Sequence, residues 1–123
     1  MSLLVDTNII IDYLRQHAAA LALIDGMSGK PVISVASVAE LYAGAATKRE
    51  ERRIERILLG ARVLPITLDI ARAAGQHMKH YAPSHGLDDL DALIAATAEH
   101  HGLALATLNV RHFPMFKQLK PAY

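Results

Sequence analysis

The sequence has 123 residues, enough for one compact domain with its own core and too few for two, so a single domain over 1–123 is expected. Hydrophobic residues make up 52% and charged residues 20%, which excludes a disordered chain, and the lack of cysteine excludes disulfides, thiolate zinc sites and cysteine nucleophiles. Lys+Arg 13 against Asp+Glu 12 leaves a formal charge of +1, so no global basic field marks a nucleic-acid binder, and Trp 0 with Phe 2 argues against a base-stacking platform.

Leu3-Leu4-Val5 is a short apolar run ended by Asp6-Thr7-Asn8. It reads as a strand and is too brief for the apolar region of a signal peptide. No apolar run approaches the roughly 18 residues of a membrane span, so a cytoplasmic protein without membrane contact is expected. A helix follows through Ile9, Ile10, Ile11, Tyr13 and Leu14, with Asp12 a solvated or hydrogen-bonded helix acid. A second helical pattern, His17 to Met27, closes at Gly26 and Gly29 ahead of Pro31. Pro31 to Val35 is the next strand, and Ser37 is expected to cap a helix through Glu40 to about Ala46. From Lys48 to Ala61 the pattern is amphipathic: Arg49, Arg52, Arg53 and Arg56 share one arc, opposite Ile54, Ile57 and Leu58. Val63 to Ile66 reads as a third strand, Leu68 to Tyr81 as a long helix and Pro83-Ser84-His85-Gly86 as a loop. Asp88-Asp89-Leu90-Asp91 opens a helix that stops at Gly102, and Leu103 to Thr107 is a fourth strand. From Pro114 to Tyr123 the pattern is weak, with an edge strand near Leu119 as the one candidate. Strands separated by helices, often in pairs, imply a parallel sheet covered on both faces.

In open parallel sheets ligands bind beyond the carboxyl ends of the strands, where helices begin. Asp6 follows the first strand, and Glu40 and Asp91 fall in the first turns of two later helices. Each has a local alternative. Asp6 fits an N-cap, Ser37-Val38-Ala39-Glu40 fits a capping box with Glu40 returning to the Ser37 amide, and Asp88 fits an N-cap with Asp89 and Asp91 complementing the helix dipole. Together, acids at several strand mouths can converge on one cleft, where they repel unless a hard dication neutralises them. An all-oxygen site of that kind suits Mg²⁺ or Mn²⁺ and phosphodiester hydrolysis.

These same residues resemble a known family. Leu4-Val5-Asp6-Thr7-Asn8, Ser37-Val38-Ala39-Glu40-Leu41, Asp91-Ala92-Leu93-Ile94-Ala95-Ala96-Thr97-Ala98 and Ala106-Thr107-Leu108-Asn109 with Phe113 resemble, in order, the motifs of PIN-domain ribonucleases. The likeness is to the VapC-type toxins of toxin–antitoxin pairs. It implies a three-layer α/β/α sandwich with a mainly parallel central sheet, Mg²⁺- or Mn²⁺-dependent endoribonuclease activity, a homodimer, and a cognate antitoxin that covers the acidic cleft. Asp6, Glu40 and Asp91 carry over as metal-binding catalytic acids, with Thr7 and Thr107 as supporting residues. Where the family often has a fourth acid, this chain has Asn109 and His112, which puts a second metal in question; Asp88 could add charge, and Asn109 could ligate through its amide oxygen. The Arg49/Arg52/Arg53/Arg56 face, otherwise a solvated helix surface, is the candidate for RNA phosphate contacts.

Zinc is not expected. There is no HExxH pattern, and although His77 and His80 have i, i+3 spacing, His100-His101 suits a helix C-terminus. Two other functions fit parts of the sequence. A phospho-acceptor receiver domain would need an acidic pair after the first strand and an Asp after the third, where this chain has Thr7-Asn8 and Ile66-Thr67-Leu68. A catalytically inactive RNA-binding scaffold would follow from the missing fourth acid.

Overall fold

In the computed structural model, which describes residues 3–85 and 87–123 except for the side chains of 82–85, four three-residue strands form one sheet. These are β1 (Leu3–Val5), β2 (Val32–Ser34), β3 (Arg62–Leu64) and β4 (Ala104–Ala106), all parallel and ordered β3-β2-β1-β4. Among the described residues a helix pair fills each interval. α1 (Thr7–Leu14) and α2 (Ala18–Asp25) follow β1, α3 (Val35–Ala43) and α4 (Lys48–Leu59) follow β2, and α5 (Leu68–His85) and α6 (Asp89–His100) follow β3.

Successive strand side chains point to opposite faces, and here both faces are buried. Leu4 and Leu105, paired in register, join Ala36, Ile94, Ala95, Ala98 and Phe113 on the α6 face. Val5 and Ala106, also paired, join Ile9, Ile10, Ala20, Ile33 and Ile54 on the face carrying α1, α2 and α4. A third cluster, including Ile70, Ala74, Ala92 and Ala96, zips α5 to α6. The expected α/β/α layering follows from this burial on both sides. No helix of the described residues is long and apolar enough to cross a membrane.

Several boundaries differ from expectation. β2 ends at Ser34, whose Oγ accepts the Ala36 N–H at 3.1 Å, so the N-cap of α3 lies three residues before the Ser37 cap expected from sequence. Ser37 is buried inside α3, and the Ser37–Glu40 capping box does not form. Glu40 consequently lies in the second turn of its helix. β3 stops at Leu64 because Pro65 has no N–H to give to a ladder. α4 ends at Leu59 with Gly60 as its C-cap. α5 runs past Tyr81 to His85, taking in most of the stretch read as a loop. Gly86 lies outside the described residues. No strand forms near Leu119 among the described residues. The chain instead makes a 3₁₀ turn over Val110–His112, buries Phe113, and returns so that the Ala122 N–H donates to the Thr107 carbonyl at 2.9 Å.

β1 lies between β2 and β4, so the chain leaves β1 toward one side for β2 and β3 and comes back on the other for β4. Sheets of this kind open a crevice at the carboxyl ends of the strands flanking that reversal. The residues immediately after β1 and β4 are Asp6 and Thr107.

Candidate active site

Asp6 sits at the centre of this crevice, only 3% exposed. It is the N-cap of α1, and its Oδ1 accepts the Thr7 N–H at 2.8 Å. Its Oδ2 accepts the Thr107 hydroxyl at 2.7 Å, a contact between residues 101 apart in sequence. Capping and siting are therefore not alternatives for this residue, because one oxygen serves each. Thr107 is fully buried, and its Oγ also accepts the Asn109 N–H at 3.0 Å. Asn109 contributes here through its backbone, its own side chain being exposed.

Glu40 reaches the same place from α3. Thr7 Oγ1 lies 2.6 Å from Glu40 Oε1 and 2.8 Å from Ser37 Oγ. A hydroxyl has one proton, and a carboxylate can only accept, so Thr7 donates to Glu40 and takes its second bond from Ser37. Ser37 is the polar residue that sequence reasoning assigned to the wrong task. Its spacing of three from Glu40, which suggested a cap, also puts both side chains on one face of a continuing helix.

Asp91 enters from the first turn of α6. Asp88 is the N-cap, with Oδ1 accepting the Asp91 N–H at 2.8 Å, as the local reading of that motif expected. The Asp91 side chain, 14% exposed, has its Oδ2 3.2 Å from Nδ1 of His112. His112 is thereby a neighbour of the acids, held there by the 3₁₀ turn after β4.

The charges of these groups act on one another. Burial, above all, pushes the Asp91 carboxyl up to about 7, with the charges of Asp88, Asp6 and Glu40 adding to the rise and His112 opposing it. Asp6 is also held above the ordinary carboxylate range. Burial is the main cause, only partly offset by the bonds from Thr107 and Thr7 and by His112, and Asp88 raises it further. Asp6 and Asp91 are thus kept reluctant to ionise first by burial and, for Asp91, by the neighbouring carboxylates as well. Among the described residues no three acidic or histidine side chains already stand as a metal cage. The cluster is an electrostatic site with all-oxygen donors and a deficit of positive charge.

The arginine face of α4 is less uniform than its spacing suggests. Arg49, Arg52 and Arg56 are exposed, whereas Arg53 is half-buried and donates from Nη2 to the Leu14 carbonyl in the last turn of α1. That bond satisfies one of the carbonyls a helix end leaves free, and it ties α4 to α1. Of the other histidines, His77 Nε2 pairs with Glu99 Oε1 at 2.5 Å between α5 and α6, and His101 is the C-cap of α6 beside His100.

A family model described as the PIN domain matches residues 3–118. The chain belongs to the PIN-domain family. Ribonuclease VapC10 of Mycobacterium tuberculosis is 48% identical over 124 residues, covering 98% of this chain and 92% of that relative. Ribonuclease VapC19 of the same organism is 39% identical over 123 residues and 98% of each chain. Among solved structures, a toxin–antitoxin complex from Klebsiella pneumoniae superimposes with a TM-score of 0.84 at 28% identity, covering 100% of this chain and 98% of that one. A PIN fold with VapC relatives along nearly its whole length leaves no place for the receiver-domain alternative.

Proposed function

We propose that this PIN-domain protein is a metal-dependent endoribonuclease of the cytoplasm and the toxin of a VapBC-type pair, cutting RNA phosphodiester bonds at its acidic crevice. The observation that carries the reading is Asp6, buried at the topological reversal with one oxygen fixed by the α1 amide and the other by Thr107, and under the charge of Asp88. A buried carboxylate so rigidly held, and pushed up chiefly by its burial, is costly to keep unless it has work to do.

The donor chemistry fits a hard dication. Asp6, Glu40 and Asp91 would hold Mg²⁺ or Mn²⁺ through oxygen, and the raised proton affinity of Asp6 and Asp91 is what burial does to carboxyls with no cation beside them. When bound, the ion supplies an activated water and positive charge for the phosphate. The chain's own residues supply the positioning. Thr107 and the Thr7 amide fix the plane of the Asp6 carboxylate, Thr7 backed by Ser37 fixes Glu40, and His112 stands against Asp91.

For the antitoxin, the structure offers an apolar cleft of about 410 Å³ between α1, α2 and α4, lined by Ile10, Leu14, Ile24 and Ile57 with Asp25 and Arg56 at its polar side. An amphipathic segment of a partner protein suits such a groove. A homodimer belongs to the same reading and is measured by sedimentation.

The deciding experiment incubates the purified protein with total RNA, with and without Mg²⁺ or Mn²⁺, and maps the ends of the fragments. Cleavage that requires the ion and is lost in Asp91→Asn supports the reading. RNA left intact in both ions would leave the inactive RNA-binding scaffold.

A further inference from the structure

An acidic crevice repels the polyanion it is meant to cut, so cations must stand at its rim. The four arginines of α4 carry Glu50, Glu51 and Glu55 among them, Lys48 is paired with Glu51 at 3.3 Å, and Arg53 is committed to the Leu14 carbonyl. The segment after β4 is different. From Val110 to Tyr123 it contains Arg111, Lys117 and Lys120 and no acidic side chain, whereas the whole chain has a formal charge of only +1, so the other residues together are net acidic. All three cations are exposed, and none makes a hydrogen bond or ion pair with a described residue.

Arg111 is also placed by the acids themselves. Two residues before it, the Asn109 N–H is bonded to the same Thr107 hydroxyl that holds Asp6. One residue after it, His112 contacts Asp91 at 3.2 Å. The short 3₁₀ turn between these anchors therefore spans from one acid to the other and lifts the Arg111 side chain into solvent at the crevice edge. Its guanidinium donates to no described residue, and its fork of N–H groups matches phosphate oxygens.

We infer that the 3₁₀ turn and tail form the phosphate-binding rim of the crevice, with Arg111 contacting an RNA phosphate that flanks the scissile bond and Lys117 and Lys120 extending the track. This rests on the ribonuclease reading for its substrate, and the α4 face becomes secondary.

The test measures binding of a fluorescent single-stranded RNA oligonucleotide of mixed sequence in EDTA, across a series of KCl concentrations, alongside cleavage kinetics in Mn²⁺. Arg111→Ala is expected to weaken binding about three- to tenfold at low salt and to make the log K against log[salt] slope shallower by about 0.7, the value of one lost phosphate contact on a single strand. In cleavage, KM rises by a similar factor while kcat stays within about twofold. Arg111→Lys keeps the slope, because the charge remains. Arg72→Ala, a remote charge-matched control on α5, changes neither quantity. Unchanged affinity and slope in a folded Arg111→Ala protein would overturn the inference, as would a slope loss that appears in Arg52→Ala instead, or no RNA binding by the wild type. If the wild type binds RNA and loses affinity on Arg111→Ala yet cuts nothing in either ion, the rim stands and the nuclease reading fails.

Discussion

Asp91 puts a sign on the energetics of the site. Its carboxyl is pushed up to about 7 by burial and by neighbouring carboxylates, from an ordinary value of 3.8. Between those two values the folded protein holds a proton that the unfolded chain has given up, so stability falls as pH rises through this window and the loss is complete above it. Asp91→Asn keeps the shape and removes the titration. In EDTA the variant should match the wild type below about pH 4 and exceed it at pH 8, by on the order of 2 kcal/mol once solvent at the 14% exposed side chain is allowed for. Urea melts across this range check it; equal stability at pH 8 would mean that the folded protein does not hold the Asp91 proton more tightly than the unfolded chain does. Thr107 makes the opposite case. Its buried hydroxyl serves Asp6 and the Asn109 amide together, so Thr107→Val strands two polar groups and should cost about 1–3 kcal/mol, with Thr107→Ser recovering most of it. Asp6, Glu40 and Asp91 were legible in the sequence because acids at strand mouths are a local pattern. Ser37 was not, and of His112 only its place in the last motif was, because their contacts depend on where α3 starts and where the tail turns.

At the scale of elements, the helices were the readable part, since each carries an apolar stripe, and their ends were less so. Both Ser34 and Ser37 satisfy the chemistry of an N-cap, and only the length of β2 decides between them. Pro83 marked a loop by its composition, yet α5 passes through it. The end of α1 is a case where the sequence hides a strained turn. Gln16 has φ 62, the left-handed conformation usually given to glycine, while its N–H bonds to the Tyr13 carbonyl and the His17 N–H bonds to the Asp12 carbonyl. The tail then locks this motif, as Tyr123 donates to Asp12 Oδ2 at 2.6 Å and stacks on His17 at 5.4 Å. A side chain in that region costs about 1 kcal/mol, part of which glycine returns through its freer unfolded state. Gln16→Gly should therefore stabilise the protein by up to about 1 kcal/mol without changing RNA cleavage. A chemical-denaturation midpoint that falls would show that the Gln16 side chain makes a compensating contact.

For the whole molecule, the feature least visible in the sequence is the one that makes the site. Nothing local to Leu3–Val5 or Ala104–Ala106 says that these strands are neighbours, because two three-residue apolar runs pair equally well in several orders, and helix packing decides among them. Once β4 lies beside β1, Asp6 and Thr107 meet, Glu40 comes in from α3 and Asp91 from α6. An ion held by such acids would bind the folded chain and not the unfolded one, in which Asp6, Glu40 and Asp91 are far apart along the sequence. Mg²⁺ or Mn²⁺ should then raise the melting temperature by an amount set by RT ln(1 + [L]/Kd), roughly 2 kcal/mol at several tens of Kd, or about 6 °C for a domain of this size. Asp6→Asn tests the origin of the shift because it separates two effects of opposite sign. Without metal, the neutral amide still caps α1 and removes the cost of a buried charge, while its single acceptor oxygen cannot also take the Thr107 hydroxyl, so the two effects offset and the variant should melt close to the wild type. With metal, it lacks a charged ligand, so its shift should shrink to a small fraction of the wild-type value. A wild-type curve unmoved by millimolar Mn²⁺, with no heat of binding in calorimetry, would leave these acids as helix caps that happen to share a crevice. A shift of equal size in both proteins would place the ion elsewhere on the surface.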